Sequence, residues 1–467
     1  METVVITITH GIVVRNILRT DAFKILKSRK DLRIVLAALH RTPFLNSKSF
    51  AAEFSGGNVI VENVGIKSNI VERALKKMAE MIFFNMNYNE TTRLKEMTLK
   101  KKNYFRYLGL KFVKKVLGKN KKVIEALEKL DMFLFGFKHR YYRELFEKYK
   151  PSLIFSTDFL WPHEWGLIRA AKHYGVPVVS MVLSWDHLSK GKLPTKFNKV
   201  IVWNDFLKEQ LIDYYGYSQN DIFVSGIPHF DYYIHDKDKL TSKREFLKNV
   251  GTAPNKKLIT YTTSPPTLSP FEQDVIEIIC EAIKNGEIKY PSHLHVRFHP
   301  ADNFDRYEKL KKHGDIITFE TPGKSASRAG YTWDPDKADM LHYANLLSHS
   351  DVMINVCSTV TIDASAFDTP VINIAFDGYE KKPYWDSTAR YYDYTHYKKI
   401  VETEGAKIAR NKEELIKYIN EYLKNPKLDS EGRKKIVKEM CYKLDGKAGE
   451  RIAKCILNFI NERGEQK

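Results

Sequence analysis

Cysteine is scarce in this chain. Cys280, Cys357, Cys441 and Cys455 are its four cysteines among 467 residues, and no two have a CxxC spacing. That excludes a disulfide scaffold and a zinc cluster, and fits a reducing, cytoplasmic setting. Long apolar runs are also missing. Nothing approaches the roughly 18 residues a membrane-spanning helix needs. The opening METVVITITHGIVVRN has no basic leader, so it reads as a core strand and not as a signal peptide. Glycine (23) and proline (17) are too few for a collagen-like or low-complexity chain. The phosphate loops GxxxxGK[ST] and GxGxxG do not occur, so the usual ATPase and dehydrogenase signatures are lacking.

Acidic residues are in deficit. Lys and Arg total 76 against 57 Asp and Glu, a formal charge of +19. Residues 93–122 hold twelve Lys/Arg and one acid, Glu96, so this segment alone supplies +11. Within it Tyr104, Phe105, Leu108, Leu110, Phe112, Val113, Val116 and Leu117 alternate with lysines, as in a helix with a broad apolar face and a cationic border. Such a helix suits an anionic membrane surface. No nucleic-acid-binding motif accompanies the charge, so nucleic acid is not an expected partner.

The apolar pattern predicts two αβ series. In the first, strands Val4–Ile8, Arg33–Ala38, Ser152–Ser156, Val176–Leu183, Lys199–Trp203 and Asp221–Ser225 alternate with helices, beginning with Arg15–Lys27. Residues 70–148 contain almost no Gly or Pro and read as a helical insertion carrying the basic segment. Polar residues 230–255 read as a connection. The second series has strands Lys257–Thr262, His293–Phe298, Ile316–Phe319, Asp351–Asn355 and Pro370–Ile374. It closes with helices at 412–423, 431–441 and 447–462. Continuous β-branched strands separated by helices imply parallel sheets buried on both faces. The expected architecture is α/β: two Rossmann-like domains, 1–228 and 229–467, facing a central cleft where ligands bind beyond the strand ends.

Polar residues cluster where those strands end. Thr262, Thr263 and Ser264 follow one strand, Arg297, His299 and Pro300 a second, and Ser358 and Thr359 a third. Hydroxyls at a helix start, with a His and an Arg nearby, suit a diphosphate. In the first domain His10 follows the first strand. A His there suits general-base work, since its pKa lies near neutrality. Asp158 and Asp186, each also behind a strand, are the reserve bases, with His163, Glu164 and His187 near them. The pair Asp334 and Asp336 has DxD spacing but sits in a Gly/Trp/Pro loop, so no metal site is expected.

These residues resemble a known group. Thr9-His10-Gly11 with Arg15-Asn16, Ser184-Trp185-Asp186, Val202-Trp203-Asn204, Gly226-Ile227-Pro228 with Phe230-Asp231, His299-Pro300, Ser358-Thr359 with Ala364, and Asp445-Gly446-Lys447-Ala448 are the carriers. Their order is similar to that in GT-B glycosyltransferases related to capsule-polysaccharide and CDP-glycerol glycerophosphotransferase-type enzymes. The resemblance implies a nucleotide-sugar donor in the C-terminal domain, a glycan or lipid-linked acceptor in the N-terminal domain, no cofactor and no required metal. The expected activity is metal-independent glycosyl transfer to a surface-polysaccharide or lipid-linked acceptor, at the inner face of the cell membrane. The rivals are a CDP-alditol (glycerol) phosphotransferase and a UDP-sugar 2-epimerase-like enzyme.

Overall fold

The β-branched run at the N-terminus forms β1 (Glu2–Ile8), buried from Thr3 onward. It is an interior strand of a seven-stranded sheet in the computed structural model, which describes residues 1–39, 45, 47–65, 69–160, 162–325 and 333–464. The other strands are β2 (Leu32–Ala38), β3 (Val59–Asn63), β4 (Leu153–Ser156), β5 (Val178–Met181), β6 (Lys199–Val202) and β7 (Ile222–Val224). Their order is β3-β2-β1-β4-β5-β6-β7, and every pairing is parallel. Strand order reverses between β1 and β4. In such sheets the crevice beyond the carboxyl ends at that reversal is the ligand position.

The chain divides into two units, Met1–Asp231 with Lys447–Lys467, and Tyr232–Gly446. The second unit carries β8 (Lys257–Thr262), β9 (Ser292–Arg297), β10 (Ile317–Glu320), β13 (Val352–Asn355), β14 (Val371–Ile374) and β15 (Lys407–Ala409). A small antiparallel ribbon pairs β11 (Lys324–Ser325) with β12 (Trp333–Asp334). The six-stranded sheet runs β10-β9-β8-β13-β14-β15, all parallel, and reverses between β8 and β13. Its core is built from aliphatic and aromatic side chains such as Ile259, Ile279, Val296, Ile354 and Tyr422, all almost fully buried.

Four expectations are corrected. The segment Arg15–Lys27 is not one helix. A π-helical turn, Val14–Leu18, precedes a separate helix, Asp21–Ser28. Residues 230–255 are not merely a connection. Helix Lys243–Asn249 buries Phe246 and Leu247 against Leu258 and Leu346, so this polar-looking stretch belongs to the second core. Strands β3 and β15, too short or too mixed to read in the sequence, extend the two sheets. Finally, the closing helix Ala448–Gly464 belongs to the first unit, not to the C-terminal one. It packs on helix Asp21–Ser28, and its first N–H groups are held by a carboxylate at the end of the first series. Ala448 and Gly449 donate to Asp231 at 3.0 and 2.7 Å.

The insertion comprises helices Ile70–Met86, Glu90–Lys102, Tyr104–Leu117 and Lys121–Phe135, then shorter turns to Tyr149. A small core of Ile82, Phe83, Phe84 and Ile124 joins it to Tyr215. Lys138 and Arg169 both pair with buried Glu72, and Arg169 also pairs with Asp131.

Candidate active site

In the first unit His10 and Asp158 stand at the carboxyl ends of β1 and β4, on either side of the strand-order reversal. His10 Nε2 donates to Asp158 Oδ2 at 2.9 Å, and both side chains are almost fully buried. A neutral ring that donates through Nε2 carries its lone pair on Nδ1, and a His–carboxylate pair of this geometry can serve in proton transfer. Asp158 Oδ1 is buried without a hydrogen-bond partner among the described residues. A sequence reading treats these two residues as competitors, whereas the structure makes them a pair.

Glu164 holds the pair in place from helix Pro162–His173. It accepts from the Asp158 backbone N–H at 3.0 Å, from Thr7 Oγ1 at 2.5 Å and from the Ser156 hydroxyl. Complete burial, opposed by these hydrogen bonds, raises its pKa to about 7. Asp186 has different company. It accepts from Ser184 at 2.5 Å and pairs with Lys190 at 2.6 Å, so a cation already neutralises it. The side chain of His163 lies outside the described residues. One histidine escaped notice in the sequence. His229 is buried in the turn Pro228–Phe230, against the π-helical turn that carries Arg15. Burial first, and Arg15 second, press its pKa well below the ordinary value, so it is neutral. Its only sequence signal was its position inside the Gly226-Ile227-Pro228…Asp231 stretch.

In the second unit three strand ends meet the second reversal. Thr263 and Ser264 follow β8, His299 follows β9, and Ser358 and Thr359 follow β13. Backbone N–H of His299 donates to Thr263 Oγ1 at 2.8 Å, and Ala301 N–H donates to His299 Nδ1 at 3.0 Å. The ring proton therefore sits on Nε2, which makes no hydrogen bond within the described residues and can donate to a ligand oxygen. Burial lowers the His299 pKa to about 4, so the donor is neutral. Pro300 ends the strand's hydrogen bonding, and Asp302 N–H folds back onto the His299 carbonyl at 2.8 Å.

The Ser358–Thr359 turn is held from below. Asn355 Oδ1 accepts from Ser358 N–H at 3.3 Å, and Cys357 takes a left-handed φ of 42°. Asn355, Thr361, Asn373 and Tyr397 form a buried hydrogen-bonded cluster with contacts of 2.9–3.3 Å. Ser358 Oγ accepts from Val360 N–H at 3.3 Å, and Thr359 is exposed. Glu272 plays the part here that Glu164 plays in the first unit. Both its oxygens accept from Ser264 N–H, at 3.1 and 2.9 Å, and burial raises its pKa to about 8. A glutamate in the first turn of the helix after a strand was the signal common to both, visible only once the strand ends are known.

Some expected phosphate ligands are otherwise engaged. Arg297 is buried between two carboxylates, Glu320 at 2.5 Å and Asp339 at 2.7 Å, with Tyr343 stacked on it. Thr262 and Ser264 donate their hydroxyls to carbonyls of Ile354 and Val356, both at 3.5 Å, tying β8 to the β13 segment. These three residues shape the rim instead of presenting free donors. Beside Arg297, the side chains of His295, Glu320 and His342 converge as three metal-ligating groups. Glu320 there already holds Arg297 and both histidines, at 3.1 and 2.6 Å. Asp336 caps helix Lys337–His349 by accepting from Asp339 N–H, while the Asp334 side chain lies outside the described residues.

The sequence profile of CDP-glycerol:poly(glycerophosphate) glycerophosphotransferases matches residues 173–458, more than half of the chain. The chain belongs to this family. No curated protein sequence matches it significantly. Solved structures that share its fold include UDP-GlcNAc 2-epimerase from Neisseria meningitidis bound to UDP-GlcNAc. That match has a TM-score of 0.56 at 12% identity, over 98% of this chain and 100% of the other. S. aureus MnaA with UDP gives 0.55 at 14% identity, over 99% and 97%. A glycosyltransferase from Rickettsia africae gives 0.52 at 12%, over 99% and 98%. The chain is thus a GT-B-fold enzyme, a nucleotide-dependent transferase built on two parallel sheets.

Proposed function

We propose that the protein transfers an alditol phosphate, of which glycerol phosphate is the simplest, from a CDP-linked donor to a hydroxyl of a surface-polysaccharide or lipid-linked acceptor. Family membership carries this reading, because the match over 173–458 includes both His299 and the Ser358–Thr359 turn. The acceptor oxygen attacks the phosphorus bearing the alditol, the bond from that phosphorus to the bridging oxygen breaks, and CMP leaves. Negative charge builds on the departing phosphate. His299 Nε2–H and the Ser358 and Thr359 hydroxyls donate to the donor's phosphates and stabilise that charge. The acceptor proton passes to His10 Nδ1, and Asp158 stabilises the imidazolium that results. Protein groups supply the stabilisation in this account, so turnover should survive EDTA.

Glycosyl transfer is the second reading. It uses the same phosphate ligands, but the anomeric C–O bond breaks and a nucleoside diphosphate leaves. The fold shared with a UDP-GlcNAc-bound enzyme favours it. The leaving group separates the two. CMP release from CDP-glycerol with a phosphoalditol-bearing product supports the first. Nucleoside diphosphate release from a sugar nucleotide with a glycosylated product supports the second. A free epimerised nucleotide sugar rejects both.

The acceptor side of this proposal is a membrane surface facing the cytoplasm. None of the described helices is long and apolar enough to cross a membrane. Helix Tyr104–Leu117 instead exposes Phe105, Leu108, Phe112 and Val116 on one face, with lysines on its borders.

A further inference from the structure

Two neighbouring cavities lie among the described residues of the helical insertion and the helices packed on it. The larger, about 730 Å³, lies among helices Ile70–Met86, Lys121–Phe135 and Pro162–His173. Leu127, Met132, Ile168 and Leu193 supply apolar walls. Its charges are unevenly matched. Arg169 pairs with Asp131 and Lys192 with Glu128. Lys76 makes no ion pair with a carboxylate among the described residues, and its Nζ lies 3.3 Å from the centroid of the Trp165 ring. Lys129 and Lys172, also on the lining, make no ion pair among the described residues. Burial, and then Arg169, press the Lys76 pKa well below the ordinary lysine value, and a bound anion would oppose both effects.

The cavity reaches toward the catalytic pair. Leu160, two residues beyond Asp158, lines it, and Trp165 Nε1 donates to the Phe159 carbonyl at 3.1 Å. At its other end it adjoins a second cavity of about 580 Å³, and Lys77 and Glu80 line both. The second cavity is walled by Met81, Phe84, Leu99, Leu110 and Val113, beneath the helix that exposes the Phe105–Val116 face. Lys95 and Arg106, without ion pairs among the described residues, edge it. Apolar walls edged by unpaired cations therefore run from beneath that helix to the loop after β4.

We propose that this track binds a phosphate-bearing lipid, its chain along the apolar walls and its phosphate on Lys76. The inference rests on the reading that the acceptor is lipid-linked, and names the chemistry that would be recognised. Chain and phosphate are both required. Apolar walls alone would accept any hydrocarbon, and surface lysines alone any anion.

The test is calorimetry on the whole protein without nucleotide, using dodecyl phosphate below its micellar concentration, dodecanol and inorganic phosphate. Dodecyl phosphate should bind at least tenfold more tightly than either fragment. Lys76→Met, which keeps the stem against Trp165, should lower that affinity about tenfold and leave dodecanol unchanged, and Lys76→Arg should restore it. Lys172→Met gives a second, independent reading if Lys76→Met folds poorly, and a clear loss is again expected. Equal binding of inorganic phosphate would mean an anion site without a lipid chain and would overturn the proposal. So would unaltered affinity in both methionine variants, or no binding of dodecyl phosphate. Because no donor is present, failure here leaves the transferase reading standing, and failure of CMP release leaves this binding result standing.

Discussion

The backbone N–H of Ala301 donates to Nδ1 of His299 at 3.0 Å, and this one bond decides what that histidine can do. An accepting ring nitrogen carries no proton, so Nε2–H is the group offered to a ligand. Burial holds the ring neutral down to about pH 4. His299→Ala should therefore weaken CDP binding about tenfold, the usual scale for a hydrogen bond to a charged group. Ser358→Ala and Thr359→Ala should also weaken it. Calorimetry at pH 8, 6.5 and 5.5 should show no step from this ring. Unchanged affinity in all three variants, or a rise in affinity following an ordinary imidazole titration, would remove His299 and its turn from the donor site.

A proton acceptor and its orienting carboxylate act as one unit, so their losses should not add. His10→Ala and Asp158→Ala are each expected to lower turnover by about a hundred- to ten-thousandfold, and the double variant by little more. CDP affinity should stay near the parent's. Asp186→Ala, which removes a carboxylate already paired with Lys190, should cost far less. Near-normal turnover in His10→Ala with abolition in Asp186→Ala would reverse the assignment.

The sheets were legible because most of their strands are short, continuous apolar runs rich in Val and Ile. The ends of those runs placed His10, Asp158, His299, Ser358 and Thr359 beside the two strand-order reversals. Three things were not legible. Arg297 looks like a phosphate ligand until Glu320 and Asp339, 23 and 42 residues away in sequence, are seen to neutralise it. Asp158 looks like a rival of His10 because no local pattern reports a contact across 148 residues. The closing helix looks like part of the C-terminal domain because its anchor, Asp231, is remote. Gly449 fits there only as glycine, since a Cβ would stand 2.8 Å from the Ala22 backbone nitrogen.

Glu164 and Glu272 make stability depend on pH in a defined direction. In the unfolded chain both ionise near 4.5, whereas burial holds them protonated to about 7 and about 8 in the folded one. Unfolding therefore releases protons in that interval. Stability should fall as pH rises from 4.5, by about 1.4 kcal/mol per unit for each group, and level off above about 8. Urea unfolding of the parent and of Glu164→Gln/Glu272→Gln across this range isolates the effect. The difference between the two should shift in the variant's favour with rising pH. Parallel curves would show that neither glutamate is held protonated.

Helix Tyr104–Leu117 gives the last prediction. Phe105 is 85% exposed, Phe112 69% and Val116 66%, and with Leu108 they repeat at three- and four-residue spacing along one face. Exposed phenylalanines on an ordered helix have no role in the unit's own core, so their replacement should leave folding intact. Lys100, Lys101, Lys102, Lys111, Lys115, Lys119, Lys121 and Lys122 are exposed around them. Each cation near an anionic leaflet contributes about 1 kcal/mol, less as salt screens it, while the rings enter the headgroup layer. The protein should co-sediment with vesicles containing anionic lipid and release as salt rises. Phe105→Ser/Phe112→Ser should lower binding even at low salt, and Lys111→Glu/Lys115→Glu should lower it most where salt is low. Equal binding to neutral and anionic vesicles would reject the electrostatic half of the argument. Parent-like binding of the double serine variant would reject the apolar half, and no binding to either vesicle would reject both.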